Sequence, residues 1–396
     1  MIQISPETQL FIREHSSDDV RTLALQAKKY PDINMPTAIT QIAGRQVAAE
    51  KIPSWREIEE IWYPKHLSLE QCSSEITARY KARLFQGDSL TDLTGGFGID
   101  CSFLASGFKS ATYVERQEEL CEIAAHNFPI LNLNHINVRN ENGVAYLQTM
   151  SPVDCIFLDP ARRNEHGGKT VAISDCEPNV AELEALLLSK ANRVMIKLSP
   201  MLDLSLALKE LKHTQEIHIL SVNNECKELL ILLRQTSPAE IAIHCVNLLT
   251  KGTQEEQPLV FTREQEQRSQ CTYTDSLGNY LYEPNASLLK AGAFRSIAAA
   301  YPVRKLHPNS HLYTSDSFIE NFPGRIFRIV NQCSFNKKEV KENLADLKKA
   351  NVTVRNFPAT VAELRKRLHL TEGGDTYLFA STLNNGQKVI IRCEKV

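Results

Sequence analysis

Across the first 85 residues, apolar side chains recur at helical spacing, as in Val20-Leu23-Leu25 and Ile39-Ile42-Ala43. That period belongs to helices that bury one stripe and leave the rest to water. Ser17 or Asp18 stands where an N-cap is expected, and Pro53 and Pro64 cut the run into several short helices. Ser73 or Ser74 is placed to cap one more helix, 75–84, which delivers the chain to its first strand. From Ser89 the rhythm changes to short apolar runs separated by longer amphipathic stretches, the pattern of parallel strands joined by crossover helices. Strands are predicted at 89–93, 111–115, 136–139, 154–158, 193–198, 216–222 and 228–233, with a further one offered by 241–248. Strands six and seven lie too close for a helix between them and predict a hairpin.

The Gln- and Glu-rich stretch 251–270 reads as a solvated loop or an exposed hairpin. From Pro323 a small unit is predicted with strand 325–330, helix 337–350, strand 352–357, helix 361–370 and strands 376–381 and 388–393. This βαβαββ order makes a two-layer α+β sandwich. The expected division is an N-terminal helical domain over 1–85, a Rossmann-like α/β domain over 86–275, a small linking segment over 276–322 and the α+β domain over 323–396.

Composition narrows the classes. No stretch resembles a secretory leader and no run of eighteen uncharged apolar residues occurs, which predicts a cytoplasmic protein with no membrane partner. The ten cysteines are scattered without a C-x-x-C pair, so they read as reduced core thiols, and no metal site is predicted. The net charge of −2 hides an asymmetry: residues 321–396 hold fourteen Lys and Arg against seven Asp and Glu.

The sharpest chemical signal is Asp92-Leu93-Thr94-Gly95-Gly96-Phe97-Gly98, set between a strand and a helix. Glycines there allow a tight turn and close approach of a ligand, while the following helix offers free N–H groups. The dinucleotide fingerprint is only partly met, since Cys101 stands where a third glycine is expected. The loop instead resembles motif I of class I methyltransferases, with Thr94 in place of the first glycine. The resemblance implies S-adenosylmethionine as cofactor, with Asp92 contributing an acceptor for its ammonium group and Thr94, Gly95, Gly96 and Gly98 making room for the methionine moiety. A glycine-rich turn without a ligand is the plain alternative. Glu115 ends the second predicted strand, the register at which an acidic side chain in this fold accepts both ribose hydroxyls. Asn142 follows the third strand, where it would either meet adenine or form an ordinary turn.

The fourth strand ends in Leu158-Asp159-Pro160-Ala161-Arg162-Arg163, the position of motif IV in the same family. Enzymes that methylate a nucleobase amine carry Asp, Asn or Ser, then two prolines and an aromatic ring, so that an oxygen takes the amine hydrogens and the ring stacks on the base. Asp159 and Pro160 keep half of that pattern. Arg162 replaces the ring, and an arginine can stack on a base or grip a phosphate. Asp-Pro-x-Arg also resembles enzymes acting on carbon-5 of uracil, but these need a cysteine after the fifth strand, where Lys197-Leu198-Ser199-Pro200 has none. Cys226, after the sixth strand, reads as structural. Arg163, Lys197, Ser199 and Asp203 are candidates to face the substrate. Glu70, Ser74 and Lys81 either line the cofactor pocket or serve helix capping and solvation.

Lys337, Lys338, Lys341, Lys348, Lys349, Arg355, Arg365, Lys366 and Arg367 concentrate positive charge in the C-terminal unit, and Lys348, Lys349, Arg365 and Arg367 are its candidate phosphate contacts. Taken with Glu70-Gln-Cys-Ser-Ser-Glu75 and Glu225-Cys-Lys-Glu228, the ordered motifs resemble a bacterial family of class I SAM-dependent methyltransferases that ends in a THUMP-like domain and carries a small ferredoxin-like insert over 276–322. The resemblance implies a seven-stranded Rossmann-like sheet and, because THUMP domains bind structured RNA, a tRNA or rRNA substrate. A non-catalytic RNA-binding protein, and a methyltransferase acting on protein or a small molecule, are the competing readings.

Overall fold

The computed structural model describes residues 4–162, 172–236, 238–251 and 258–396. The chain forms two compact units, one of Met1–Gln215 with Leu229–Pro238 and one of Glu216–Glu228 with Ala239–Val396.

The first unit opens with α1 (Pro6–Glu14), α2 (Val20–Leu25), α3 (Met35–Lys51), α4 (Pro53–Arg56), α5 (His66–Gln71) and α6 (Glu75–Leu84). Phe11, Ile12, Leu23, Met35 and Ile42 pack as one apolar cluster. The cap of α2 is Asp19, one residue beyond the expected position, and its Oδ1 accepts from the Thr22 N–H at 2.8 Å. α6 has the predicted limits and Ser74 at its N-cap, but no serine side chain closes that cap.

Strands and helices then alternate: β1 (Gly87–Asp92), α7 (Ile99–Ala105), β2 (Phe108–Glu115), α8 (Glu118–Ile130), β3 (Ile136–Asn140), α9 (Gly143–Thr149), β4 (Val153–Leu158), α10 (Val180–Lys190), β5 (Ala191–Leu198) and α11 (Leu204–Glu210). Parallel pairing gives the order β3-β2-β1-β4-β5. The hairpin of β6 (Thr214–Val222) and β7 (Glu225–Arg234) turns on Asn223 and Asn224, both at positive φ. Its returning residues 229–234 run antiparallel to β5. Strand order reverses between β1 and β4, and their register sets Asp92 beside Phe157. The loops leaving these two strands therefore open on one edge, where open α/β sheets place their ligands.

In the second unit β8 (Ala242–Leu248) runs parallel to β6, and β9 (Leu259–Thr262) antiparallel to β8. β8 is the further strand offered by 241–248, and β9 adds one that the pattern does not predict. β9 and α12 (Arg263–Arg268) occupy the stretch expected to be a loop or hairpin. Phe261 is buried beside exposed Val260, and Thr262 with Gln265 forms a reciprocal capping box, so local chemistry supports a strand and a helix there.

A second sheet is built from β10 (Tyr280–Pro284), β11 (Tyr313–Ser315), β12 (Gly324–Ser334), β13 (Asn351–Val354), β14 (Thr376–Thr382) and β15 (Lys388–Lys395), with the short strand Arg304–Lys305 at its edge. α13 (Ala286–Ala291) and α14 (Phe294–Ala300) follow β10, while α15 (Lys337–Leu344) and α16 (Val361–Leu368) complete the predicted βαβαββ order. Because β10 pairs with β12, the linking segment and the basic C-terminal region share this sheet. α15 stops at Leu344, short of the expected 350. The Ala350 N–H donates to the Thr371 carbonyl at 3.1 Å and the Thr371 N–H to the Lys348 carbonyl at 3.0 Å, which draws 348–350 into extended backbone. Among the described residues no helix is long and apolar enough to cross a membrane.

Candidate functional site

The loop after β1 is held by its own backbone. The Thr94 N–H donates to Asp92 Oδ1 at 2.9 Å, the Gly95 N–H to the Val114 carbonyl at 2.9 Å, and the Gly98 N–H to the Gly95 carbonyl at 2.9 Å. Gly96 and Gly98 sit at φ +53° and +86°, where a side chain is strained. Gly95 is needed for a different reason: a Cβ there would lie 2.3 Å from the Tyr113 ring. Glu115, at the end of β2, is turned toward this loop. Its Oε2 accepts from the Gly96 N–H and its Oε1 from the Gln117 N–H, both at 2.9 Å.

Asp92 is buried, and its Oδ2 has no hydrogen-bond partner among the described residues. Burial pushes its carboxyl well above the usual carboxylate range, against the Thr94 N–H and with reinforcement from Asp100, Asp159 and Glu115. An unused buried acceptor beside positive-φ glycines fits a ligand that brings an ammonium group, as S-adenosylmethionine does.

The loop after β4 is tied to the first through the Asp159 N–H, which donates to Thr94 Oγ1 at 2.6 Å. The Asp159 carboxylate is paired with Lys197, near the end of β5. Lys197 Nζ also lies 3.6 Å from Asp100 Oδ2, and Lys81 Nζ lies 3.0 Å from Asp100 Oδ1. Ser73 completes the cluster, donating to Asp100 Oδ2 at 2.7 Å and accepting from Lys81 at 3.1 Å. Lys81, Asp100, Lys197 and Asp159 therefore alternate in sign, and the Lys81 side chain is 0% exposed. Burial alone would raise the Asp100 carboxyl; Lys81 and Lys197, with Ser73, outweigh it and hold the carboxyl below its ordinary value.

Sequence reasoning singles out Lys81 and Lys197 but passes over Asp100 and Ser73 as site residues. The available signal is an acid in the first turn of the helix that follows a glycine loop. Ser73 reads in the sequence only as a helix cap; its hydroxyl goes to the buried charges instead.

Asp92, Thr94, Gly95, Gly96, Gly98, Glu115, Asp159 and Lys197 thus gather at the carboxyl ends of β1, β2, β4 and β5. Pro160, the next residue after Asp159, is buried. The backbone of Ala161–Arg162 pairs antiparallel with Cys176–Glu177; the Arg162 side chain and all of Arg163 lie outside the described residues. Asn142 does not join the group in the expected way. Its Oδ1 caps α9, accepting from the Val144 and Ala145 N–H groups at 2.9 and 3.2 Å, so the oxygen an adenine amine would need is already engaged. Asp203 caps α11 through the Leu206 N–H at 2.9 Å, and Ser199 Oγ accepts from the Met201 N–H at 3.3 Å. The Cys226 thiol is pushed up to about 11, chiefly by burial, which suits a structural cysteine and not a nucleophile.

In the second unit, Lys348 and Lys349 are exposed beyond the end of α15. Arg365 is committed to Glu372 through contacts of 3.0 and 3.2 Å, and the Arg367 guanidinium lies 4.1 Å from the centre of the Phe335 ring.

The protein with this architecture from Porphyromonas gingivalis W83, solved as a candidate methyltransferase, is 35% identical over 100% of both chains, with a TM-score of 0.87. This chain belongs to that family. Residues 280–323 match the description of a ferredoxin-like domain and 324–395 that of a THUMP-like domain, which agrees with the resemblance read from the motifs. The family's fold is therefore the methyltransferase-type parallel-rich sheet with helices before it and a small C-terminal sheet domain. More remote likenesses cover less of the chain. An rRNA methylase from Streptococcus thermophilus is 13% identical over 40% of this chain and 94% of its own, with a TM-score of 0.31. A candidate methyltransferase from Streptococcus mutans, solved with SAH, is 12% identical over 40% of this chain and 96% of its own, with a TM-score of 0.30. No protein of curated description matches the chain.

Proposed function

We propose that this family member is an S-adenosylmethionine-dependent methyltransferase that modifies a base in structured RNA, tRNA or rRNA. The observation that carries the reading is the bond from the Asp159 N–H to Thr94, which couples the acceptor-orienting carboxylate to the glycine loop beside Asp92. When bound, S-adenosylmethionine supplies a methyl group on a positively charged sulfur. Asp92 Oδ2 would hold the ligand's ammonium group, and the remaining lone pairs of Glu115 its ribose hydroxyls. Asp159 would accept an N–H of the base amine, while Lys197 fixes the direction of the carboxylate, which together would orient the nitrogen lone pair. Alignment is a large part of such catalysis, since a displacement needs its reacting atoms in near-attack geometry. Pro160 gives the turn its rigidity, and the proposed role of Arg162 and Arg163 is to meet the base or its phosphate. The proposed division of labour is helical support from 1–85, chemistry in 86–275, a ferredoxin-like link over 276–322 and RNA capture by 323–396.

The RNA part of the reading rests on the THUMP-like match and on the exposed Lys348 and Lys349 with Arg367. Arg365 contributes less, because Glu372 already neutralises it. The test is transfer of a labelled methyl group into total RNA from a strain lacking the protein. Incorporation with the wild type and none with Asp159→Ala is expected. Cofactor binding without transfer into any RNA would instead favour a non-catalytic RNA binder or a different acceptor class.

A further inference from the structure

Glu216, His218 and His244 lie in the second unit on one face of the β6–β8 pair. Residues two apart on a strand share a face, so Glu216 and His218 point together. The parallel register sets His218 directly beside His244 and Glu216 beside Ala242. The Glu216 Oε2 is 3.4 Å from His218 Nε2 and 3.7 Å from His244 Nε2, and the three ligand atoms all fall within 4.8 Å of one another. Donors about 2.0–2.1 Å from a tetrahedral zinc ion stand roughly 3.4 Å apart, so the spacing is close to that of a first coordination shell. The two imidazoles stack at 4.3 Å with planes 10° apart.

We infer that Glu216, His218 and His244 form a mononuclear site for a zinc-class divalent cation. Two imidazoles and one carboxylate are borderline donors that suit such an ion, and leave it room for water in its remaining positions. The His218 side chain is 3% exposed and forms the floor, whereas Glu216 and His244, at 34% and 24%, leave the cation a path from solvent. Cys245 follows His244 and points to the opposite face, so the site uses nitrogen and oxygen alone. A Glu216–His218 hydrogen bond explains one of these contacts; it does not explain the second imidazole brought to the same carboxylate oxygen. The sequence signal is invisible to a search for C-x-x-C spacing, because parallel pairing and not local spacing unites the ligands.

The test is equilibrium dialysis of the chelator-stripped full chain against zinc(II), with cobalt(II) absorption as a second readout. One equivalent of zinc is expected, together with a cobalt spectrum of nitrogen and oxygen ligands free of thiolate charge transfer. Glu216→Gln and His244→Gln should each weaken binding by at least about tenfold, with unchanged far-ultraviolet circular dichroism. If one variant fails to fold, the other decides. Absence of bound zinc, zinc binding that neither variant weakens, or a thiolate band in the cobalt spectrum would each overturn the assignment.

Discussion

Two sets of charges in this protein are built on opposite terms. At the edge of the first sheet, Lys81, Asp100, Lys197 and Asp159 alternate in sign within a mostly buried cluster, and Asp92 keeps one oxygen without a partner among the described residues. Along the C-terminal domain, Lys348, Lys349 and Arg367 are exposed and of one sign. A buried charge is tolerated only with its partners in place, so each member of the first set matters singly and sharply. Exposed charges act through their sum and are screened by salt, so the second set should fail gradually. The first arrangement suits chemistry at a fixed point, the second capture of a long polyanion.

The largest expected effect follows from Asp159→Ala, which should lower methyl transfer by at least about a hundredfold while leaving S-adenosylmethionine affinity unchanged. Single-turnover transfer and calorimetry on the same variant check both halves, and parallel loss of affinity would move Asp159 into the cofactor site. Next comes Lys81→Met, which leaves the Asp100 carboxylate short of a buried partner and should destabilise the first unit by about 3 to 5 kcal/mol in urea unfolding. Its pH dependence carries a sign. Because the Asp100 carboxyl is held low in the folded protein, its contribution is present above the ordinary carboxylate range and lost as pH falls through the folded value. The gap between wild type and variant should therefore narrow in acid.

Asp92→Asn should do the reverse. A carboxyl raised by burial favours the protonated form, so it penalises folding increasingly as pH climbs from the ordinary carboxylate range toward the raised value. Removing the charge should stabilise the ligand-free protein at neutral pH by about 1 to 3 kcal/mol, an advantage that vanishes in acid, and should weaken cofactor binding. A variant that is less stable at neutral pH, or one that binds the cofactor unchanged, would count against the role given to that oxygen. The smallest effects belong to the C-terminal charges. Reversal of Lys348, Lys349 or Arg367 should reduce the slope of log affinity for RNA against log salt by about 0.7 to 0.9 for each phosphate that is no longer neutralised. Arg365→Glu should do less, since Glu372 already holds that arginine.

Much of this layout is legible in the chain. The change from helical spacing to short apolar runs at Ser89 marks the start of the parallel sheet, and Asp92 to Gly98 announces the loop because its glycines have few other uses. Glu115 is predictable because the distance along a βαβ unit fixes where its strand must end. What local pattern does not supply is pairing at a distance. Asp100 looks like an ordinary acid in a first helical turn until Lys81 and Lys197 are folded against it. Asn142 illustrates the opposite failure: a residue in the expected register whose oxygen is taken by nearer backbone donors at the start of α9. The early end of α15 has the same origin, as backbone bonds to Thr371 override a sequence that would continue the helix. β9 and α12 are hidden by composition, since the Gln and Glu residues of α12 and of the segment before β9 read as loop although Phe261 faces inward.

The central claim, an adenosyl ligand gripped at the carboxyl end of β1, is tested most directly by calorimetric titration of the full chain with S-adenosylmethionine. One saturable site in the wild type, retained in Asp159→Ala and strongly weakened in Asp92→Ala, is the predicted result. No binding heat in the wild type, or equal affinity in Asp92→Ala, would contradict it.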